Sequence, residues 1–78
     1  MKQELISFLD EYWMSDIERI EESHLLNYPS IDVFAKGNFF TQGLLMTLYR
    51  FADNRDYKFY LDVVGVEIRM KLYNDVES

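Results

Sequence analysis

The chain has 78 residues, of which 49% are hydrophobic and 17% aromatic, with no cysteine and a net charge of −6. One domain is the natural count at this length, and the apolar content is too high for a disordered tail. Without cysteine there is no disulfide scaffold, cysteine-based zinc site or thiol nucleophile, and the cytoplasm is the expected compartment, because a secreted domain this small ordinarily needs disulfides.

Residues from about 3 to 25 read as one amphipathic helix. At 100° per residue, Leu5, Ile6, Leu9, Tyr12, Trp13, Ile17 and Ile20 share an arc of about 140°. Glu4, Glu11, Glu18 and Glu22 gather on the opposite side as an acidic stripe. The whole charge imbalance belongs to this part of the chain: residues 1–33 hold eight acids against Lys2 and Arg19, and the remainder is balanced. Asp16 falls inside the apolar arc. Either Ser15-Asp16-Ile17-Glu18 is a capping box that opens a second helix after a kink, or the helix is continuous with Asp16 at the edge of the core. The shared phase of Trp13, Ile17 and Ile20 favours the continuous helix. His24, the single histidine, then sits in the last turns, where it favours the helix dipole. Pro29 ends the helix, since it lacks an amide proton and restricts Tyr28.

Beyond Pro29 the pattern becomes that of strands. Residues 31–35 suit a short strand and Lys36-Gly37-Asn38 a turn. The segment 39–51 admits two readings. As a helix it lines up Phe40, Leu44, Leu48 and Phe51, with Asn38 as cap; as a strand it lines up Leu45, Thr47, Tyr49 and Phe51. Gly43 weakens both, and a strand over about 44–51 is the preferred reading. Asp53-Asn54-Arg55-Asp56 is a turn. Next, Tyr57, Phe59, Leu61 and Val63 alternate inward, followed by Val66, Ile68, Met70 and Leu72. The phase slips by one at Gly65, which marks either a hairpin turn over Asp62-Val63-Val64-Gly65, with glycine in the left-handed region, or a bulge in one long strand; the hairpin is preferred, since a strand over 57–73 would be unusually long. The expected fold class is therefore α+β. One N-terminal amphipathic acidic helix packs on an antiparallel β-meander of three or four strands over about 31–73, within a single domain spanning 1–78.

His24 has no partner at metal-ligand spacing, and Gly37, Gly43 and Gly65 form no phosphate loop. The acid pairs Asp10/Glu11 and Glu21/Glu22 lie on an exposed face, without the cleft and contrasting environments that acid–base catalysis needs. No enzyme activity, cofactor or metal is expected. No stretch reaches the ~20 apolar residues of a membrane span, and the acidic balance disfavours direct contact with nucleic acid or an anionic membrane. The outward face of the expected sheet carries Lys58, Tyr60, Arg69, Lys71 and Tyr73, joined by Arg50 where 44–51 is a strand. Aromatic and basic residues on a sheet can stack bases, but Asp62 and Glu67 share that face and favour a mixed-charge surface with cross-strand pairs.

What remains is a surface for a protein. The glutamate stripe of Glu4, Glu11, Glu18 and Glu22 complements a basic partner, and Tyr60 and Tyr73 supply aromatic anchors. The expectation is a small non-enzymatic inhibitor or adaptor of a larger intracellular protein. Its sharpest form blocks a basic nucleic-acid-binding groove by imitating phosphate charge. The alternative is a structural subunit or homo-oligomer that uses exposed aromatic surface.

Overall fold

Two antiparallel hairpins joined by a helix make up most of the molecule. The computed structural model describes residues 1–75. Helix α1 (Lys2–Phe8) and the one-turn α2 (Glu11–Met14) lead into strands β1 (Ile17–Leu25) and β2 (Tyr28–Ala35). A 3-10 turn (Lys36–Asn38) precedes helix α3 (Gln42–Asn54), and strands β3 (Lys58–Val64) and β4 (Glu67–Tyr73) follow. The four strands pair antiparallel in the order β1-β2-β4-β3. The class is thus α+β, with an N-terminal helix and a meander-like antiparallel sheet. The order departs from a sequential meander because α3 carries the chain to the far edge and β4 folds back between β3 and β2. Residues 76–78 of the expected domain lie outside the described residues.

The long helix expected over 3–25 is the main correction. Helix α1 stops at Phe8, because Leu9 is extended. Asp10 then caps α2 by accepting from the Trp13 amide at 3.1 Å. This is the N-terminal cap that the chain uses in place of Ser15. Ser15 closes α2 instead, its hydroxyl donating to the Tyr12 carbonyl at 2.6 Å. Neither reading of Asp16 holds: it precedes β1, and its carbonyl accepts from the Lys36 amide at 2.9 Å. The reason for the mistaken period is local. The ladder of β1 on β2 slips between Ile17 and Arg19, so Glu18 is an extra residue in the strand. In a regular strand Ile17 and Ile20 would face opposite sides. The bulge returns both to the inner face, where they are buried, and so a strand acquires the i, i+3 spacing of a helix. His24 accordingly lies exposed on β1 opposite Pro29, not on a helix. Pro29 lies inside β2 near its start.

The strand expected over 44–51 is the second correction. Residues 42–54 are helical, with Leu44, Leu48, Phe51 and Ala52 buried. This is the i, i+4, i+7, i+8 spacing of one helix face. Thr41, not Asn38, is the cap, its hydroxyl accepting from the Leu44 amide at 3.1 Å. Thr47, a strand-favouring residue, satisfies its hydroxyl on the Gly43 carbonyl at 2.8 Å. Gly43 is there for contact, since a Cβ on it would lie 2.5 Å from Cη2 of Trp13. The indole of α2 therefore rests on the first turn of α3.

Both helices cover one face of the sheet. The core joins Leu5 and Leu9 of the N-terminal segment to Leu44, Leu48, Phe51 and Ala52 of α3. Below them lie Ile17 and Ile20 of β1, Ile31, Val33 and Ala35 of β2, and Met70 and Leu72 of β4. On β3 the core thins out: Phe59 is half-buried, but Leu61 is 49% and Val63 69% exposed.

Candidate interaction surfaces

The face of the sheet away from the helices presents three cross-strand rows. The first is Arg19, Phe34, Arg69 and Asp62; the second is Glu21, Asp32, Lys71 and Tyr60; the third is Ser23, Ser30, Tyr73 and Lys58. Of the expected outward set, Lys58, Tyr60, Arg69, Lys71 and Tyr73 share one face, with Asp62 and Glu67 among them, whereas Arg50 lies on α3, because 42–54 is helical. Arg19 lies over the Phe34 ring, 3.8 Å from its centroid, and spans β2 to grip Glu67 of β4 with two hydrogen bonds of 2.9 and 2.8 Å. Those bonds hold the Glu67 carboxyl below the ordinary carboxylate range and push the guanidinium up. Arg69 clamps Asp62 in the same two-pronged way, and its hydrogen bonds lower the Asp62 carboxyl. Bidentate pairing of this kind fixes geometry as well as charge.

At the centre of this face Lys71 and Asp32 are buried although none of the described helices covers them. The Lys71 ammonium is 2.6 Å from Oδ1 of Asp32 and 3.4 Å from the Ser30 hydroxyl. Arg69 approaches the other Asp32 oxygen at 3.7 Å. Oδ1 of Asp32 forms no hydrogen bond of good geometry, so the ammonium contact is what compensates its burial. Tyr60 and Tyr73, proposed as anchors, are half-buried here with ring centroids 6.1 Å apart. Alternation in the sequence places Lys71 outward, but nothing in it singles out Asp32, the acid that explains how a lysine can be buried on this face.

The four glutamates of the expected stripe are not brought together. Glu4 lies on α1 and is engaged within the molecule. It bonds Arg55 at 3.1 Å and Tyr57 at 3.3 Å, with the terminal amine at 3.4 Å. Burial works to raise its carboxyl, but these partners together hold it below its ordinary value. Desolvation, and then the charge of Glu4, push the Tyr57 phenol up. Glu11 lies in the first turn of α2, Glu18 in the β1 bulge and Glu22 further along β1; all three are exposed. With Asp10, Asp16 and Glu21 they form an acidic rim along α2 and the edge strand β1. The one cation within that stretch, Arg19, is already held by Glu21 and Glu67. Glu11, Asp16, Glu18 and Glu22 form no ion pair among the described residues. The imbalance seen in the sequence is thus real in space, but it follows a sheet edge instead of a helix face.

The opposite edge is apolar. Leu61, Val63 and Val64 of β3, Val66 of the hairpin turn, and Met46 and Tyr49 of α3 are all exposed. Tyr49 stacks edge-on against Phe59 with centroids 4.5 Å apart, which ties the helix to this strand. The β3–β4 hairpin is pinned from outside by Asn38, whose side chain donates to the Val66 carbonyl at 2.8 Å and accepts from the Ile68 amide. The signal for this edge was present as Val63-Val64-Gly65-Val66, an apolar run through a turn where polar residues are usual.

Among the described residues, no group of three or more His, Asp or Glu side chains is placed to hold a metal ion. No helix among them is long and apolar enough to cross a membrane. No known protein family matches the chain, and neither the curated proteins nor the solved structures provide a match.

Proposed function

We propose that this chain is a small non-enzymatic protein-binding module of the cytoplasm, acting as an inhibitor or adaptor on a partner with a basic surface. The observation that carries the reading is the acidic rim. Among the described residues, Glu11, Asp16, Glu18 and Glu22 form no ion pair, while Arg19, Arg55, Lys58, Arg69 and Lys71 are each taken up by acids within the molecule. Uncompensated charge on one edge steers encounter with a basic surface and sets orientation there. Carboxylates spaced along a strand and a helix turn would occupy a groove built for phosphates, so blocking a nucleic-acid-binding protein is the sharpest version. Glu4 drops out of the binding set, because its charge is spent on Arg55.

The test is capture from lysate with tagged wild type and the Glu11→Lys, Glu18→Lys, Glu22→Lys triple variant in parallel, with circular dichroism confirming the fold of each. A partner held by the wild type, released by salt and absent with the variant supports the reading. The same partner on both proteins at all salt concentrations refutes it. A second reading, a homo-oligomer built through exposed apolar and aromatic surface, is favoured by a separate observation: the exposed Leu61, Val63, Val64 and Val66 along β3.

A further inference from the structure

The two free edges of the sheet are treated differently. Strand β1 is guarded by the bulge at Glu18 and by exposed Glu18, Glu21 and Glu22. Bulges and charges of this kind are how proteins keep an edge from pairing. Strand β3 has neither guard. Its seven residues run in unbroken register on β4, and its only charges are Lys58 and Asp62, of opposite sign. We infer that β3 pairs antiparallel with β3 of a second copy across a two-fold axis at Tyr60, joining two four-stranded sheets into one of eight strands. This inference deepens the self-association reading and rests on it.

Backbone direction decides which groups are offered. The turn between Val64 and Glu67 has two residues, with Gly65 at φ 64°. Such a turn closes on a hydrogen-bonded pair, so Lys58, Tyr60, Asp62 and Val64 turn their amides and carbonyls towards β4. Phe59, Leu61 and Val63 then direct theirs out of the sheet. The Ile68 amide agrees with this alternation, since it points away from β3 to Asn38.

Charge then selects the register. A continuous sheet with the helices on one side requires like faces to meet, and pairing five or more residues of each seven-residue strand leaves axes at Tyr60, Leu61 or Asp62. An axis at Asp62 sets that carboxylate against its own copy. An axis at Leu61 sets Lys58 against Val64 and Asp62 against Tyr60, so neither charge meets an opposite one across the seam, although each is paired within its own copy. An axis at Tyr60 sets Lys58 of each copy against Asp62 of the other, and Tyr60 against Tyr60, at positions where side chains are closest. On the inner face it sets Phe59 against Leu61, the pair whose outward amides and carbonyls exchange hydrogen bonds. Leu61 thereby gains cover that the monomer lacks.

The absence of cysteine makes the register readable. The full chain is examined by sedimentation across concentration, and single Tyr60→Cys, Leu61→Cys and Asp62→Cys variants are oxidised under mild conditions. The expected result is a concentration-dependent dimer, with Tyr60→Cys cross-linking fastest because self-paired residues there bring their Cα atoms within disulfide range. Leu61→Pro removes an outward amide that β4 does not use. It is expected to keep the circular dichroism spectrum and raise the dimer dissociation constant by about tenfold or more. If Leu61→Pro fails to fold, Leu61→Lys on the same edge takes its place with the same expectation. A monomer at every concentration overturns both this inference and the self-association reading. A dimer that survives the edge variants, or that cross-links faster at residue 61 or 62, overturns the Tyr60-centred pairing while leaving self-association intact.

Discussion

Replacing Gly43 by alanine sets two ordinary effects against each other at one atom. In an open helix the change stabilises, by up to about 1 kcal/mol, because glycine gives up more backbone freedom than alanine. Here the new methyl would sit 2.5 Å from Cη2 and 3.1 Å from Cζ3 of Trp13. Swinging the indole aside gives up contacts, since Trp13 is half-buried against the core and Tyr12 packs edge-on against it with centroids 4.8 Å apart. Overpacking of this kind costs about 1–3 kcal/mol. The expected balance is a loss of about 1 kcal/mol, or roughly 4–8 °C in melting temperature for a domain of this size. In a Trp13→Leu background the obstructing ring atoms are gone, and the same substitution should stabilise by about 0.5–1 kcal/mol. Urea unfolding followed by far-ultraviolet circular dichroism on the four proteins of this cycle gives both numbers. A stabilising Gly43→Ala in the wild type, or the same effect in both backgrounds, would refute the docking of α2 on α3.

Three further outcomes follow from the sheet. Asp32→Ala or Lys71→Met alone should cost about 3–5 kcal/mol, as one buried charge is left without its partner. The Asp32 variant should lose more, because Arg69 still faces Asp32 when Lys71 is removed; the paired Asp32→Leu, Lys71→Met variant should recover most of the loss, and a double variant as weak as the worse single one would contradict the account. Leu26 turns the β1–β2 hairpin at φ 57° while 85% exposed, so Leu26→Gly should raise stability by about 1 kcal/mol in the same urea assay; a loss would show that the turn carries no strain. Finally, Glu4 and Glu67 lie below the ordinary 4.5 and Asp62 below 3.8 in the native state. A lowered native value means that the unfolded chain takes up protons first, so this stability is fully present above 4.5 and is lost as pH falls through the native values. Melting curves across acid pH should show that loss, and Glu67→Gln should flatten it; a wild-type profile unchanged down to the lowest pH would contradict the pairing.

The parts of the fold legible in the sequence are those where one physical cause acts alone. Strands β3 and β4 alternate cleanly and Gly65 is left-handed as expected, but the turn is Gly65-Val66 and not 62–65, because β3 stays paired to Val64. Their outward face was therefore assigned correctly down to Asp62 and Glu67. The segment 15–25 was misread because a bulge at Glu18 gives a strand helical spacing, and because its glutamates and arginine favour a helix until pairing with β2 overrides them. The segment 39–51 was misread because Thr47 and Tyr49 favour strands, whereas the Thr41 cap and the burial of Leu44, Leu48 and Phe51 decide the helix. The acidic surface was read correctly in sign but not in place: Glu4 is consumed by Arg55, and the remaining glutamates follow the β1 edge. Asp32 was legible only as one acid among many, since its partner comes from a strand 39 residues later that only the sheet order brings beside it.

The central claim, that recognition runs through the acidic rim of α2 and β1, is tested most directly by titrating the captured partner with wild type and with the Glu11→Lys, Glu18→Lys, Glu22→Lys variant at low and high salt. The account predicts that wild-type affinity falls steeply with salt and that the variant binds weakly at both. Equal affinity of the two proteins, with no dependence on salt, would contradict it and move recognition to the apolar β3 edge.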